Sequence, residues 1–434
     1  MFTNLFVQIL RPRRADDPVP VYLLLAGGSE FLYTLVFTVN MIYQATVVGL
    51  SPLQLVLVGT TLEAVAFLGE VPTGIVADIY SRRRSIIIGL ALIGAGFTLE
   101  GSVPSFAAVL ASQVLWGLGY TFTSGATEAW ITDEVGEERV GPVFLRGTQA
   151  ALAGTIAGII LSAGLGLIAI QLPIILGGVA FVALAATLAL IMPERNFHRT
   201  PPSERSTWGQ MKDTFIAGTR LARRREVVRT LLAVSLVIGL ASEAFDRLST
   251  LHILETFTFP LLFGTDSPVL WFGLFSLVGS LLGLGASEVM KRFHPESLHR
   301  GTPARLLAAI GVVQVTSTLV FALAGSLWLA VVATWVRGVA WTIAGPLSAA
   351  WMNRNLETRT RATVLSMQGQ MNAIGQVTGG PALGWVGNRW SVRAALVGSG
   401  LVLSPIIALY ARVADRHERP VATEDVQEVT VRSP

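Results

Sequence analysis

Twelve stretches of this sequence run apolar for about twenty residues or more, with short polar breaks between them. No other feature limits the fold so strongly. In hydrocarbon every backbone N–H and C=O must be paired inside the chain, and a helix of roughly 20 apolar residues achieves this while crossing a bilayer. The stretches lie near residues 20–46, 53–79, 85–102, 104–130, 143–169, 171–192, 228–254, 268–290, 303–323, 326–352, 362–386 and 391–411, numbered here as spans 1 to 12. Charged residues make up only 14% of the chain, against about 25% in a soluble domain. The expected fold class is therefore an all-α membrane protein of twelve transmembrane helices. The chain has no cysteine, which removes disulfides, thiolate metal ligands and cysteine nucleophiles. It also lacks a Walker-type phosphate loop, zinc-ligand spacing and a serine–histidine constellation. No cofactor, resident metal, enzymatic activity or nucleic-acid partner is expected.

The first ten residues, MFTNLFVQIL, are apolar and precede RPRR. A cleavable signal peptide has the opposite order, so an interfacial segment leading into a retained first span is expected. Lys and Arg in the connecting segments set orientation. With the N-terminus inside, 28 of the 32 Lys and Arg fall in or beside inner segments. Only Arg389 and Arg393 lie in outer loops, while Arg247 and Arg337 sit within spans. Both termini are therefore expected in the cytoplasm, with the chain in the plasma or inner membrane.

The expected domains are an N-terminal six-helix bundle (1–192), a basic linker (193–227), a C-terminal six-helix bundle (228–411) and a cytoplasmic tail (412–434). Within the linker, WGQMKDTFIAGTRLARRREVV carries Trp208, Met211, Phe215 and Leu221 near one face. With arginines elsewhere around it, such a helix suits an anionic lipid surface. The halves repeat at a nearly constant offset. Ser29 and Glu30 match Ser242 and Glu243. Gly69, Asp78 and Arg82 match Gly279, Glu288 and Arg292. Gly117, Thr121 and Trp130 match Gly338, Thr342 and Trp351. These matches point to a six-plus-six duplication.

The stretch Glu70 to Arg84, EVPTGIVADIYSRRR, closes span 2 and opens span 3. It resembles the loop between helices 2 and 3 of major facilitator superfamily transporters, roughly G-x-L-a-D-r-x-G-r-R/K. Gly74, Ala77, Asp78, Arg82 and Arg83 match, while Ile79 replaces an arginine and Ser81 a glycine. With GATEAW…DE in span 4, the chain looks most similar to the bacterial multidrug efflux branches. The resemblance implies parallel repeats about a midplane substrate site and alternating access. It further implies an inner gate made of Gly74, Asp78, Arg82 and Arg83 with Glu128 and Asp133 at the end of span 4. Asp133 or Glu128 is expected to meet Arg82 or Arg83 when that gate is closed.

Ionisable groups deep in a membrane are costly and are functional candidates. At 1.5 Å per residue, Glu30 and Glu63 lie about 15 Å into spans 1 and 2, Glu243 about 22 Å into span 7 and Arg337 about 16 Å into span 10. Glu30, Glu243 and Asp246 are the candidates for proton coupling. Candidates for the substrate cavity are Glu63, Trp116, Tyr120, Arg337, Trp341 and the polar stripe Gln368, Asn372 and Gln376 of span 11. Arg337 is expected to pair with Asp246 or Glu243. Two features depart from antiporters of the resembled family: span 5 lacks G-P-x-x-G-G, and Gln113 stands where span 4 often has an arginine. The expected function is export of amphipathic small molecules, such as lipophilic cations, by a monomer that exchanges them for protons. Export or flipping of a lipid-like molecule, and proton-coupled symport, remain open.

Overall fold

The computed structural model describes residues 17–198, 208–292, 302–356 and 358–418. The amino-terminal segment, the polar opening of the linker, the loop after span 8 and most of the tail lie outside the described residues, as do the side chains of Trp208, Met211 and Phe215.

The described residues form fifteen helices, α1 Pro18–Thr46, α2 Pro52–Ile79, α3 Arg82–Ser102, α4 Phe106–Thr123, α5 Ala126–Val135, α6 Glu137–Ile168, α7 Leu172–Ile191, α8 Trp208–Arg224, α9 Glu226–Thr256, α10 Pro268–Arg292, α11 Thr302–Leu323, α12 Leu327–Asn355, α13 Thr358–Arg389, α14 Val392–Leu403 and α15 Pro405–Glu418. Among them, eleven spans are long and apolar enough to cross a membrane, counting α4 with α5 and α14 with α15 as one span each. The protein is a multi-pass membrane protein built as two six-helix bundles.

Span 11 differs from the rest. It forms α13, 32 residues long, but does not meet the apolarity of a free-standing span. Four amides, Gln368, Gln370, Asn372 and Gln376, make it polar, and its glycines press it against α9. A Cβ on Gly375 would come within 2.5 Å of the Leu236 carbonyl oxygen. Such close backbone approach through small residues is how membrane helices pack without a hydrophobic driving force. Span 4 also departs from a single rod. Ser124 is extended and Gly125 takes φ 70°, a conformation glycine adopts without a Cβ penalty, so the chain breaks there into α4 and α5.

Serines start most of the helices that follow tight turns. Ser51, Ser81, Ser105, Ser326 and Ser391 each cap the next helix by accepting a backbone N–H. Cap side chains pair N–H groups that a helix start leaves orphaned, which lets a chain reverse direction in two or three residues at a membrane surface.

The core falls into three clusters. One lies in the N-terminal half and includes Leu35, Phe97, Trp130 and Phe181. A second belongs to the C-terminal half alone, from Val227 to Ala414 through Trp351 and Tyr410. The third joins both halves, bringing Leu50, Leu55, Val56, Val58 and Val109 against Phe245, Leu248, Trp271, Phe321 and Leu396. The joint cluster sits at the end remote from Arg82–Arg84. Close approaches across the halves mark the same end: Gly384 and Gly380 against Val56, Gly387 against Pro52, and Gly166 against Val269. The halves are packed together at that end, where these glycine approaches and the joint core cluster lie.

Candidate functional site

A cavity of about 400 Å³ lies between the halves. Glu30, Tyr33, Thr34, Phe37 and Thr38 of α1 line it, with Trp116 and Tyr120 of α4, Thr155 and Ile159 of α6, and Ser276 and Ser280 of α10. The α1 residues recur every three or four positions, so one helix face supplies them all. Glu30 brings the one carboxylate of this lining. It is half-buried and accepts a hydrogen bond from Thr155 Oγ1 at 3.3 Å.

The wall beside Glu30 is aromatic. Tyr33 and Phe37 stack at 5.7 Å, Phe37 meets Trp116 at 5.1 Å, and Phe97 closes on Trp116 at 5.7 Å. Tyr33 also lies edge-on to Phe181 at 4.9 Å. Electron-rich ring faces with one carboxylate can hold an amphipathic cation. The cavity continues around α10, where Ser276 is shared with a second hollow of about 320 Å³ lined by Phe272, Phe275, Trp335 and Thr334. A larger groove of about 710 Å³ between α3 and α7 is lined by Ala95, Leu99, Val179 and Val182 with the hydroxyl residues Thr98 and Ser102, and holds no titratable group.

Of the residues singled out from sequence, Glu30, Trp116 and Tyr120 meet in this cavity. The rest do not. Glu243, expected as the partner of Glu30 near the midplane, lies 3% exposed where the halves are closed. Its Oε1 accepts from Arg247 Nε at 2.9 Å. The pair fits against Gly59 of α2, where any side chain would overlap the Glu243 carboxylate. Arg247 Nη1 also reaches Met41 Sδ of α1 at 4.0 Å. Glu63 is in the same closed region, within electrostatic reach of Glu243 and Arg247 rather than on the cavity wall. Arg337 lies 3.8 Å from Asp246 and covers the Phe245 ring at 3.7 Å, with Trp341 beyond at 5.7 Å. It pairs within its own half and is absent from the cavity lining.

The amide stripe of α13 is spent largely on packing. Asn372 Nδ2 donates to the Ser235 carbonyl of α9 at 3.4 Å, and Gln376 Nε2 donates to Asn372 Oδ1 at 2.7 Å. Gln368, Asn372 and Gln376 do not line the cavity at Glu30.

At the arginine-rich end Arg82 forms an ion pair with Asp133 of α5 and donates to the Ala129 carbonyl at 2.8 Å. Glu194 accepts from Ser81 Oγ at 2.5 Å and from Arg83 N at 2.9 Å, and Arg83 also donates to the Ala189 carbonyl. Trp130 Nε1 donates to the Pro193 carbonyl at 2.7 Å. These contacts tie α3, α5 and the end of α7 together inside the N-terminal half. Arg82 and Asp133, expected to meet when the inner gate is closed, are paired here within the N-terminal half. Glu128 is exposed and takes no part in it. Gly74 and Asp78 lie half-buried in the last turns of α2, and Asp78 makes no hydrogen bond or ion pair with the described residues.

Sequence reasoning passed over three elements. Tyr33 and Phe37 complete the aromatic wall, and their spacing of four on span 1 was a usable signal. Glu100 of α3, fully buried, lies two residues from the helix end, a position that gives no sequence signal of burial. Arg247 was visible only as a charge within a span.

Set beside known proteins, residues 23–379 match the family model described as Major Facilitator Superfamily. The chain belongs to the Major Facilitator Superfamily. It is a multi-pass transporter of that family. An uncharacterized MFS-type transporter of Bacillus subtilis (strain 168), YxaM, is 30% identical over 132 residues. That match covers 30% of this chain and only about a third, 33%, of the relative. Among solved structures, the nucleoside transporter NupG superposes with a TM-score of 0.69 at 14% identity, over 93% of this chain and 100% of that one. A POT family transporter in complex with 5-aminolevulinic acid gives 0.71 at 12%, over 92% and 96%. A bacterial homolog of the human lysosomal transporter Spinster, inward-facing and unoccupied, gives 0.67 at 15%, over 93% and 98%. At such identities these likenesses establish the fold alone.

Proposed function

We propose that the protein exports amphipathic small molecules, lipophilic cations foremost, in exchange for protons, by rocking its two bundles about the cavity at Glu30. One observation carries the reading. A single carboxylate faces an aromatic wall in the space between the halves. Glu30 can hold a proton or balance a substrate's positive charge, and one carboxylate cannot do both at once. That competition exchanges one for the other without a further coupling device.

The Lys and Arg distribution supports a plasma or inner membrane orientation with both termini cytoplasmic, so the arginine-rich end is the inner one and the end where the halves are packed together is the outer one. In this reading the substrate enters from the cytoplasm or inner leaflet. Closing the inner end and opening the outer end releases it, and Glu30 then takes up a proton for the return. The network of Arg82, Arg83 and Asp133 keeps the inner face of the N-terminal bundle rigid during rocking, and Asp78 meets the opposing half when the inner end shuts. The protein works as a monomer.

The test is uptake of a panel of lipophilic cations, zwitterions and anions by inverted membrane vesicles, with and without an imposed proton gradient. Gradient-dependent accumulation confined to cations is expected. Transport of anions, or transport indifferent to the gradient, contradicts the reading.

A further inference from the structure

The hollow of about 320 Å³ beside the Glu30 cavity lies wholly in the C-terminal half, between α9, α10 and α12. The internal repeat shows how it arises. In the first half α2 and α4 cross tightly at two glycines. A Cβ on Gly117 would stand 3.0 Å from the Val65 side chain, and one on Gly69 would stand 3.0 Å from Thr121 Oγ1. Their counterparts in the repeat, Gly338 of α12 and Gly279 of α10, line the hollow instead. A Cβ on Gly338 would meet nothing within 4 Å, and one on Gly279 would keep 3.4 Å from the Trp335 ring. Small residues normally let membrane helices close on each other. Here the crossing that is closed in one half stands open in the other, and its walls forgo those contacts.

The lining suits one kind of group. Phe272, Phe275 and Trp335 supply aromatic surface, and none of the lining side chains is charged. Polarity comes from hydroxyls. Thr334, like Thr60 and Thr61, bonds back to a carbonyl one turn earlier. Ser249, Thr250 and Ser276 make no hydrogen bond with the described residues. Such hydroxyls are free to donate or accept. A cavity of about 150 Å³ takes up benzene, so this hollow has room for about two fused rings. A neutral aromatic group bearing a hydrogen-bonding atom matches it. Position ties the hollow to the cavity, because Ser276 lines both, while its neighbours Gly279 and Ser280 line one each. One small side chain stands where the two spaces meet.

We propose that the hollow is a subsite for a neutral, aromatic tail of the substrate, and that substrates are bipartite. Glu30 of the N-terminal half balances the cationic head, and α9, α10 and α12 of the C-terminal half hold the tail. The inference rests on the transport reading for its head and on the lining of the hollow for its tail. Each half then grips one end of the molecule, and a cation without a tail binds poorly.

Purified full-length protein in detergent is titrated calorimetrically with three trimethylammonium compounds. They carry a propyl, a 3-(2-naphthyl)propyl or a 3-(6-hydroxy-2-naphthyl)propyl arm. Wild type should bind the naphthyl compound roughly tenfold tighter than the propyl one, and the hydroxyl should add about threefold. Gly338→Leu fills the hollow from a position with room for a side chain, and should bring the naphthyl-to-propyl ratio close to one. Thr250→Val should remove the hydroxyl's gain. If Gly338→Leu does not fold, Thr250→Val decides. Equal affinity for all three compounds in wild type overturns the proposal. A naphthyl gain that survives in Gly338→Leu, or a hydroxyl gain that survives in Thr250→Val, overturns it equally. Glu30→Gln separates this inference from the transport reading. It should weaken all three compounds by one common factor. If it binds them as wild type does, the charge reading fails, while the tail ratios still judge the hollow.

Discussion

Glu30 and Glu243 hold equivalent places in the two halves of the internal repeat, each following a serine, yet the structure gives them opposite surroundings. Glu30 is half-buried in an aromatic cavity and holds one long hydrogen bond, to Thr155. Glu243 is sealed into the closed interface, tied to Arg247 and pressed on Gly59. Two features separate them. Arg247, one turn after Glu243, has no counterpart in the first half, where Thr34 stands one turn after Glu30. Gly59 then provides the gap into which the C-terminal pair fits. A duplicated sequence has thus been divided between two tasks. One carboxylate faces the cavity between the halves, and the other, paired within its own helix, packs on Gly59 where the halves meet.

The largest effect should come from filling that gap. Gly59→Leu places a side chain where Glu243 and Arg247 lie and prevents the halves from packing together at that end. Transport in proteoliposomes should fall at least tenfold in a protein that still folds and inserts. Because the native chain has no cysteine, closure can be read independently. Val56→Cys with Gly384→Cys should cross-link in wild type and fail to do so on the Gly59→Leu background.

Breaking the fastening pair comes next. Arg247→Ala leaves a buried carboxylate without its partner, which costs about 3 kcal/mol. The fall in thermal stability should be partly recovered when Glu243→Gln is added, and Arg247→Ala should cost more than Arg82→Ala. The carboxylate of the Arg82–Asp133 pair is more accessible than that of Glu243, 21% against 4% side-chain exposure. Its loss in Asp133→Ala should cost about 1 kcal/mol, and exchanging the two charges should restore most of it. The smallest effect belongs to Thr155→Val, which removes a single hydrogen bond of 3.3 Å to Glu30. Stability should change by less than about 1 kcal/mol.

Much of the architecture was legible before any coordinates. Span positions follow from hydrocarbon's demand for paired backbone groups, and the repeat was written in matched glycines and carboxylates. Membership of the superfamily was visible in Gly74, Asp78 and the arginines that follow. The site was legible only along α1 and α4, where Glu30, Trp116 and Tyr120 share the cavity. What escaped depends on how helices are rotated and which end is closed. Depth along a helix placed Glu63, Glu243 and Arg337 near the midplane, but depth does not say which side of the helix faces the cavity. The amides of α13 had the spacing of a wet stripe, yet Gly239, Gly375 and Gly379 bring α9 so close that Asn372 bonds its backbone instead. Glu100 carries no sequence signal of its burial because its amide partners come from α1 and α4, the first far off in sequence.

The division of labour between Glu30 and Glu243 is tested most directly by recording proton movement from proteoliposomes as a lipophilic cation is added. Wild type, Glu30→Gln and Glu243→Gln are compared. The account predicts substrate-driven proton release in wild type, none in Glu30→Gln, and release at a reduced rate but unchanged proton-to-substrate ratio in Glu243→Gln. Full release from Glu30→Gln, or a changed ratio in Glu243→Gln, would contradict it.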